Sequence, residues 1–355
     1  MKPDDWPDIK QIYQANKDPN YKNAIIWLLD ADEIGRNNPD AGVKPFDIAP
    51  RTIKLPIYQI TPKQAGNNIE KVVFSDGYSK VLTKNDNKLW YHTFTGTDKY
   101  VWVMFMNNLS IEDGEYYGMQ YTYEGGYDAN NTSILWVYGD KDSGMLCGYN
   151  GPFRGTVKLR NFEVGNVIST NSITFNTVPS LERLKIGNLY SNSSGASGFL
   201  TTALNIKEFK IGKIIPMSGT TSFSATAFSG CNTLKKIEIN DIQISFQSTA
   251  SLFSGNYLME SYPIIDTSES TSFSSMFYSC SNLVSLHEMD ASQVTNFGNM
   301  CFQCYKLEEI PSTFNFSNAT THNRMFYQCF SLRYIPDIVD CSKSTNVSEM
   351  FSGCQ

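Results

Sequence analysis

The apolar positions in the second half of the chain repeat. Met325-Phe326-Tyr327-Gln328-Cys329-Phe330-Ser331-Leu332 is the octet Met276-Phe277-Tyr278-Ser279-Cys280-Ser281-Asn282-Leu283 rewritten. Met300-Cys301-Phe302-Gln303-Cys304-Tyr305-Lys306-Leu307 is a third copy, with Cys301 in the Phe position. Met350-Phe351-Ser352-Gly353-Cys354 begins a fourth, and Leu252-Phe253-Ser254-Gly255-Asn256 and Ala227-Phe228-Ser229-Gly230-Cys231 are looser versions. The Cys-position residues fall at 231, 256, 280, 304, 329 and 354, a period of 24 or 25. A fixed period of this size predicts a solenoid, in which each turn buries its apolar side against the next.

The remaining columns of the repeat fit stacked coils. Leu283-x-x-Leu286, Leu307-x-x-Ile310 and Leu332-x-x-Ile335 follow the octets. They match the earlier Leu181-x-x-Leu184-x-Ile186, Ile206-x-x-Phe209-x-Ile211 and Leu234-x-x-Ile237-x-Ile239. Each predicts a short strand, and stacking in register predicts one parallel sheet. Asp266, Asp290, Asn315 and Asp340 supply a turn residue in each coil. Thr271, Thr295, Thr320 and Thr345 predict a hydroxyl ladder, and Phe273, Phe297, His322 and Val347 an inward slot.

Upstream the periodicity changes. Trp6, Ile9, Ile12 and Tyr13 recur at helical spacing and predict a short helix near 5–15. Ala24-Ile25-Ile26-Trp27-Leu28-Leu29 reads as a buried strand, and Gly35 to Pro45 as a turn-rich linker. Strand-like runs then follow at Thr52–Ile57, Ile69–Phe74, Lys88–Phe94, Tyr100–Met106, Glu115–Tyr123 and Ser133–Tyr138. Turn residues such as Asp76-Gly77, Asp113-Gly114 and Gly125-Gly126 separate them, which predicts a small β-sandwich or barrel. The expected chain is mainly β: an N-terminal segment over 1–45, a β-sandwich-like domain over 46–152, and a solenoid with a parallel sheet over 153–355.

Composition narrows the function. The 355 residues carry formal charge −6, only 18% of them are charged, and no lysine-arginine run stands out. No nucleic-acid partner is expected. No apolar run is long enough to span a membrane. Met1-Lys2-Pro3-Asp4-Asp5-Trp6 shows no signal core. Either a leader was removed or export takes another route, such as phage assembly followed by lysis. Gln355 falls inside a repeat. Solenoid ends need covering, so either a longer chain or another subunit is expected there.

Of the eight cysteines, five (231, 280, 304, 329, 354) share one column. They read as buried thiols acting as small hydrophobes. Cys301-x-x-Cys304 has redox or zinc spacing, but both residues occupy repeat slots and no second pair or spaced histidine accompanies them. The three histidines, His92, His287 and His322, lack a neighbouring nucleophile and carboxylate in sequence. Asp140-Lys141-Asp142-Ser143-Gly144 opens like a calcium loop, yet Met145 and Gly151 stand where later ligands belong, so a hairpin turn is the reading. No catalytic residue, metal or cofactor is expected.

Two contact surfaces are expected instead. Residues between the inward strand positions point outward: Lys235, Lys236, Val284, Ser285, Glu308, Glu309, Arg333 and Tyr334, with His287 just after. Together they predict a recognition strip along the stacked coils. Tyr117, Tyr121 and Tyr123 alternate onto one strand face, which suits sugar or protein contact, although half of a sandwich core is the plainer reading.

The pattern Asp-x-Ser-x-x-Thr-Asn-x-x-x-Met-Phe-x-x-Cys-x-x-Leu-x-x-Ile-Pro, seen at Asp340–Phe351 and Cys329–Pro336, resembles the leucine-rich repeats of BspA-type surface proteins. The likeness is strong over about 265–354, weaker over 155–264 and absent before 150. Asn256 for Cys, Cys301 for Phe and His322 for an apolar residue depart from it. The resemblance implies a non-enzymatic adhesion or recognition protein displaying a leucine-rich-repeat solenoid. A phage tail or fibre component is expected, with a secreted bacterial adhesin or a carbohydrate-binding module as alternatives. The expected location is a virion, a cell surface or the extracellular space. Partners would be a host or bacterial surface protein or glycan, and virion or envelope proteins through the N-terminal region, with self-association left open.

Overall fold

This computed structural model describes residues 4–21, 23–34, 51–55, 71–81, 90–107, 111–112, 115–116, 120–121, 133–147, 153, 156–169, 175, 178–191, 205–216, 228–242, 246–336 and 339–355. Contacts divide the chain into two compact units, Met1–Tyr190 and Ser191–Gln355. The protein is mainly β.

The first unit opens with α1 (Ile9–Asn16), capped by Asp8, whose side chain accepts from the Lys10 and Gln11 amides. The strands follow as β1 (Asn23–Asp30), β2 (Thr52–Leu55), β3 (Lys71–Phe74), β4 (Ser79–Val81), β5 (Trp90–Thr93) and β6 (Tyr100–Asn107). After them come β7 (Ile111–Glu112), β8 (Glu115–Tyr116), β9 (Gln120–Tyr121), β10 (Ile134–Tyr138), β11 (Gly144–Cys147), β12 (Asn161–Ser169) and β13 (Arg183–Ser191). The main sheet runs β13-β12-β10-β1-β6-β3-β4.

The apolar run of β1 explains its central place. Both its faces are buried, so it needs cover on each side. On one face Ile26 and Leu28 meet Trp6, Ile9 and Tyr13 at the helical end of the chain. On the other, Trp27 packs edge-on against Phe105 and Phe153, 5.0 and 6.2 Å between ring centroids. Each such large side chain contributes about 2 kcal/mol by leaving water.

Three expectations change here. Residues 1–45 do not stand apart from 46–152, because β1 lies antiparallel between β6 and β10. In place of a sandwich or barrel, the described strands form one mixed sheet, with β2–β5 and β7–β8 as separate ribbons. The turn at Asp140 forms, with the Asp142 amide on Asp140 Oδ1, but it is no hairpin. β10 and β11 instead run one after the other parallel to β12. Gly165 sits where a Cβ would strike the Lys141 carbonyl oxygen, and Gly187 where one would strike that of Gly165. Only glycine admits so close a backbone approach. The expected linker over 35–45 lies outside the described residues.

In the second unit β14 (Glu208–Pro216) pairs parallel with β15 (Glu238–Ile242). From there on the chain forms stacked coils, each named below by its Cys-position residue. The short strands expected at Leu-x-x-Leu/Ile shrink in these regular coils to isolated parallel bridges, Lys236 with Ser261 and Glu309 with Tyr334. Pro263, Pro311 and Pro336 occupy the position after the second apolar residue and have no N–H for a ladder.

The backbone ladder lies in the octets instead. Phe273, Ser275, Phe277 and Ser279 donate their amides to Asn296, Gly298, Met300 and Phe302 of the next coil at 2.7–2.9 Å. The same four bonds join coils 256 and 280, 304 and 329, and 329 and 354. The residues between them donate within their own coil, as Met276 does to Phe273 and Tyr278 to Ser275. Left-handed backbone at Ser275 (φ 55°) and Ser279 (φ 57°) makes this alternation, and Asn299, Gln303, Arg324 and Gln328 repeat it. Gly230, Gly255 and Gly353 fill the second of those positions in their coils. The threonines bond the opposite way, as expected of a ladder: Thr295, Thr320 and Thr345 each give both amide and hydroxyl to the threonine carbonyl one coil earlier.

Inside, the columns are apolar. Phe228, Phe253 and Phe277 stack with centroids 5.7–6.0 Å apart, and Phe326 stacks on Phe351 beyond the Cys301 gap. The Cys280, Cys304, Cys329 and Cys354 thiols each donate to a carbonyl of the preceding coil at 3.0–3.1 Å. Of the column expected to be buried, Cys231, Cys280, Cys304 and Cys329 are, whereas Cys354 is half-buried; Cys301, in the Phe position, is buried as well, and none of these forms a disulfide.

Candidate recognition surface

A residue in a stacked coil is positioned twice, by its own turn and by its copies above and below. The residues one and two places past the octet leucine face outward because Leu283, Leu307 and Leu332 on one side, and Leu286 and Ile310 on the other, are buried. Lys235, Lys236, Ser285, Glu308, Glu309, Arg333 and Tyr334 are all exposed. Their backbones are tied across coils: Glu260 N donates to Lys235 O, Glu308 N to Val284 O and Arg333 N to Glu308 O, at 2.7–3.2 Å. The structure therefore brings these seven onto one strip.

His287 differs. It is half-buried, its amide donates to the Tyr262 hydroxyl at 2.7 Å, and its Nε2 lies 3.1 Å from the Tyr262 carbonyl oxygen. Proline fills the matching position in three other coils, so His287 and Tyr262 form a local exchange rather than a free contact.

Charge on the strip is mixed. Lys235 pairs with Glu260 at 3.3 Å and Lys236 with Glu238 at 3.1 Å. Glu308, Glu309 and Arg333 make no ion pair with any described residue. Large apolar groups crowd the same unit: of thirteen exposed among the described residues, ten fall between Tyr257 and Val347.

Two aromatic ladders on this unit escaped the sequence reading. Tyr278, Phe302 and Tyr327 stack with centroids 4.7–4.8 Å apart, flanked by a Gln303–Gln328 amide bond of 2.9 Å. Tyr305 and Phe330 stack at 5.1 Å beside the strip. The signal was present, since these rings sit two before and one after the Cys position at the repeat's own period.

The remaining candidates hold structural places. His92 Nε2 lies 2.9 Å from Asp76 Oδ2, and its ring stacks on Phe74 at 3.8 Å. Burial works against the Asp76 charge, but the Thr95 and Tyr78 amides and His92 outweigh it and hold its carboxyl below the usual range. His322 is buried in the inward slot, stacked on Phe297, with Nδ1 2.6 Å from Ser344 Oγ and Nε2 without a partner. Burial lowers its pKa, with Asp340 pulling the other way. Burial pushes the Cys231 thiol up to about 12. Among the described residues no group of three His, Cys, Asp or Glu side chains is placed to hold a metal. No described helix is long and apolar enough to cross a membrane. Tyr117 and Tyr123 lie outside the described residues, and Tyr121 is placed on β9 opposite Cys147.

The fold thus defines a class: a mainly β protein whose C-terminal part is built from stacked, near-identical coils. Residues 240–355 match a family described as "Mycoplasma protein of unknown function, DUF285". No curated protein matches the chain, and no solved structure does.

Proposed function

We propose that the chain is a non-enzymatic recognition protein whose stacked coils, leucine-rich repeats of the BspA type, present the Lys235–Tyr334 strip to a surface protein or glycan. One observation carries the reading: seven outward residues spread over a hundred positions are held in one strip by coil-to-coil hydrogen bonds. Backbone fixed in this way presents side chains at little entropic cost on binding. The protein works as a tail or fibre-type virion component, or as an adhesin on a bacterial surface, with the first unit docking to virion or envelope partners.

The test uses the labelled full chain on a glycan array and on intact bacterial and host cells. Wild type binds at least one of these surfaces. Lys235→Glu with Lys236→Glu, at the exposed end of the strip, lowers that binding at least about tenfold. Binding unchanged by this reversal would overturn the strip as the reader. Loss on Tyr121→Ala instead would move recognition to the first unit.

A further inference from the structure

Glu308 and Arg333 occupy the same column of adjacent coils, and Arg333 N donates to Glu308 O at 3.2 Å. Elsewhere that spacing is enough for an ion pair: Lys235 reaches Glu260 at 3.3 Å, and Arg324 reaches Glu349 at 2.6 Å. Glu308, Glu309 and Arg333 nevertheless make no ion pair with any described residue. Beside them stand exposed rings: Tyr305 at 36%, Phe330 at 43% and Tyr334 at 62% exposure.

We propose that Tyr305, Glu308, Glu309, Phe330, Arg333 and Tyr334 form a self-complementary face on which a second copy of this chain docks. A two-fold axis lying along the coil direction, midway between coils 304 and 329, exchanges the two coils. It sets Glu308 against Arg333 of the partner subunit, and Arg333 against the partner subunit's Glu308. It also sets Tyr305 opposite Phe330 of the partner subunit, and Glu309 opposite the hydroxyl of the partner's Tyr334. An isologous interface requires this pairing of each residue with its counterpart twice over. Unpaired charges of both signs around an apolar centre are what such an interface needs before it forms.

A sugar fits this face less well. Tyr305 and Phe330 stack at an interplanar angle of 13°, so each covers a face of the other and turns an edge outward. Sugars dock on ring faces, whereas ring edges pack among side chains. The acidic pair also disfavours anionic glycans. The face takes up the Glu308–Tyr334 part of the strip, so in the dimer surface binding falls to Lys235 and Lys236, which lie several coils from the axis.

Sedimentation equilibrium on the full chain tests this. Wild type gives twice the chain mass with a Kd on the order of micromolar. Glu308→Arg alone and Arg333→Glu alone each raise that Kd at least about tenfold. An equimolar mixture of the two restores a dimer, because the reversed charges meet across the axis. Both positions are exposed, and an unchanged Tm shows that each variant is folded. The proposal is overturned by a wild type still monomeric at about 100 μM, by dimers surviving both reversals, or by a mixture that stays monomeric. The array and cell assay reads surface binding separately, so a monomer that still binds surfaces removes the dimer and not the reader.

Discussion

Asn256 shows how one column tolerates a change of residue. In the four coils that follow, a thiol donates to a carbonyl of the preceding coil, and Asn256 keeps that bond and adds a second. Its Nδ2 donates to Phe228 O at 2.9 Å and to Phe253 O at 2.8 Å. Asn256→Ala takes the donor from Phe228 O in a dry interior, while Phe253 O keeps the Cys280 thiol, and should cost about 1–3 kcal/mol; Asn256→Cys restores a donor to Phe228 O and should cost about half as much. Urea midpoints at constant m-value check the order. His322 is the second odd residue. Its pKa is lowered on folding, so the unfolded chain takes up the proton first as pH falls. Stability is unaffected by this group above its ordinary pKa of 6.5 and declines below it, through the folded value. His322→Phe, matching Phe273 and Phe297, should flatten the fall in Tm between pH 7.5 and pH 5. A variant with the same slope as wild type would locate the pH dependence elsewhere.

Each coil element depends on two residues in left-handed backbone, and this was only half legible in the chain. Gly230, Gly255 and Gly353 mark the second position, but Ser279, Gln303 and Gln328 carry the same conformation with no glycine to announce it. The octet consequently read as a buried apolar patch when it is also the hydrogen-bonded spine. The Leu-x-x-Leu/Ile motif read as a strand because apolar spacing is visible in sequence, whereas the missing proline amides act only once partners are placed. The α1, β1 and β6 runs were legible because their apolar residues need cover on defined faces. Gln328 tests the spine. Gln328→Gly relieves a left-handed penalty of about 1 kcal/mol and loses a side-chain bond of similar size, leaving stability nearly unchanged. Gln328→Val places a β-branched residue at φ 56° and should cost about 2 kcal/mol or more. Thermal melts of the two variants separate these outcomes.

At the scale of the whole molecule, the sulfur column measures whether the stack is intact. Cys231, Cys280, Cys301, Cys304 and Cys329 are buried away from the reagent, and burial also raises the pKa of Cys231, Cys280, Cys301 and Cys329, so the thiolate needed for alkylation is scarce there in the native state. Iodoacetamide labelling followed by mass spectrometry should spare these five until the coils unfold, with Cys341 and Cys354 modified earlier. Rapid labelling of Cys304 in native protein would contradict the closed interior. The outward positions were legible for the opposite reason: exposure follows from the gaps between inward residues. The aromatic ladders were missed because a ring on the outside looks, in sequence, like one more core residue.

The octet amides of coils 256, 280, 304 and 329 point the same way, into the following coil, and the threonine bonds return the other way. Any coil can therefore succeed any other, provided the unit stays whole. Duplicating one unit adds a row to the outer strip without shifting the phase of its neighbours, and the 24- and 25-residue units stacked side by side show that a one-residue difference is absorbed within a coil. Such a gene can change the length of its product by unequal recombination at no structural penalty, and selection can tune reach separately from the chemistry of any one row.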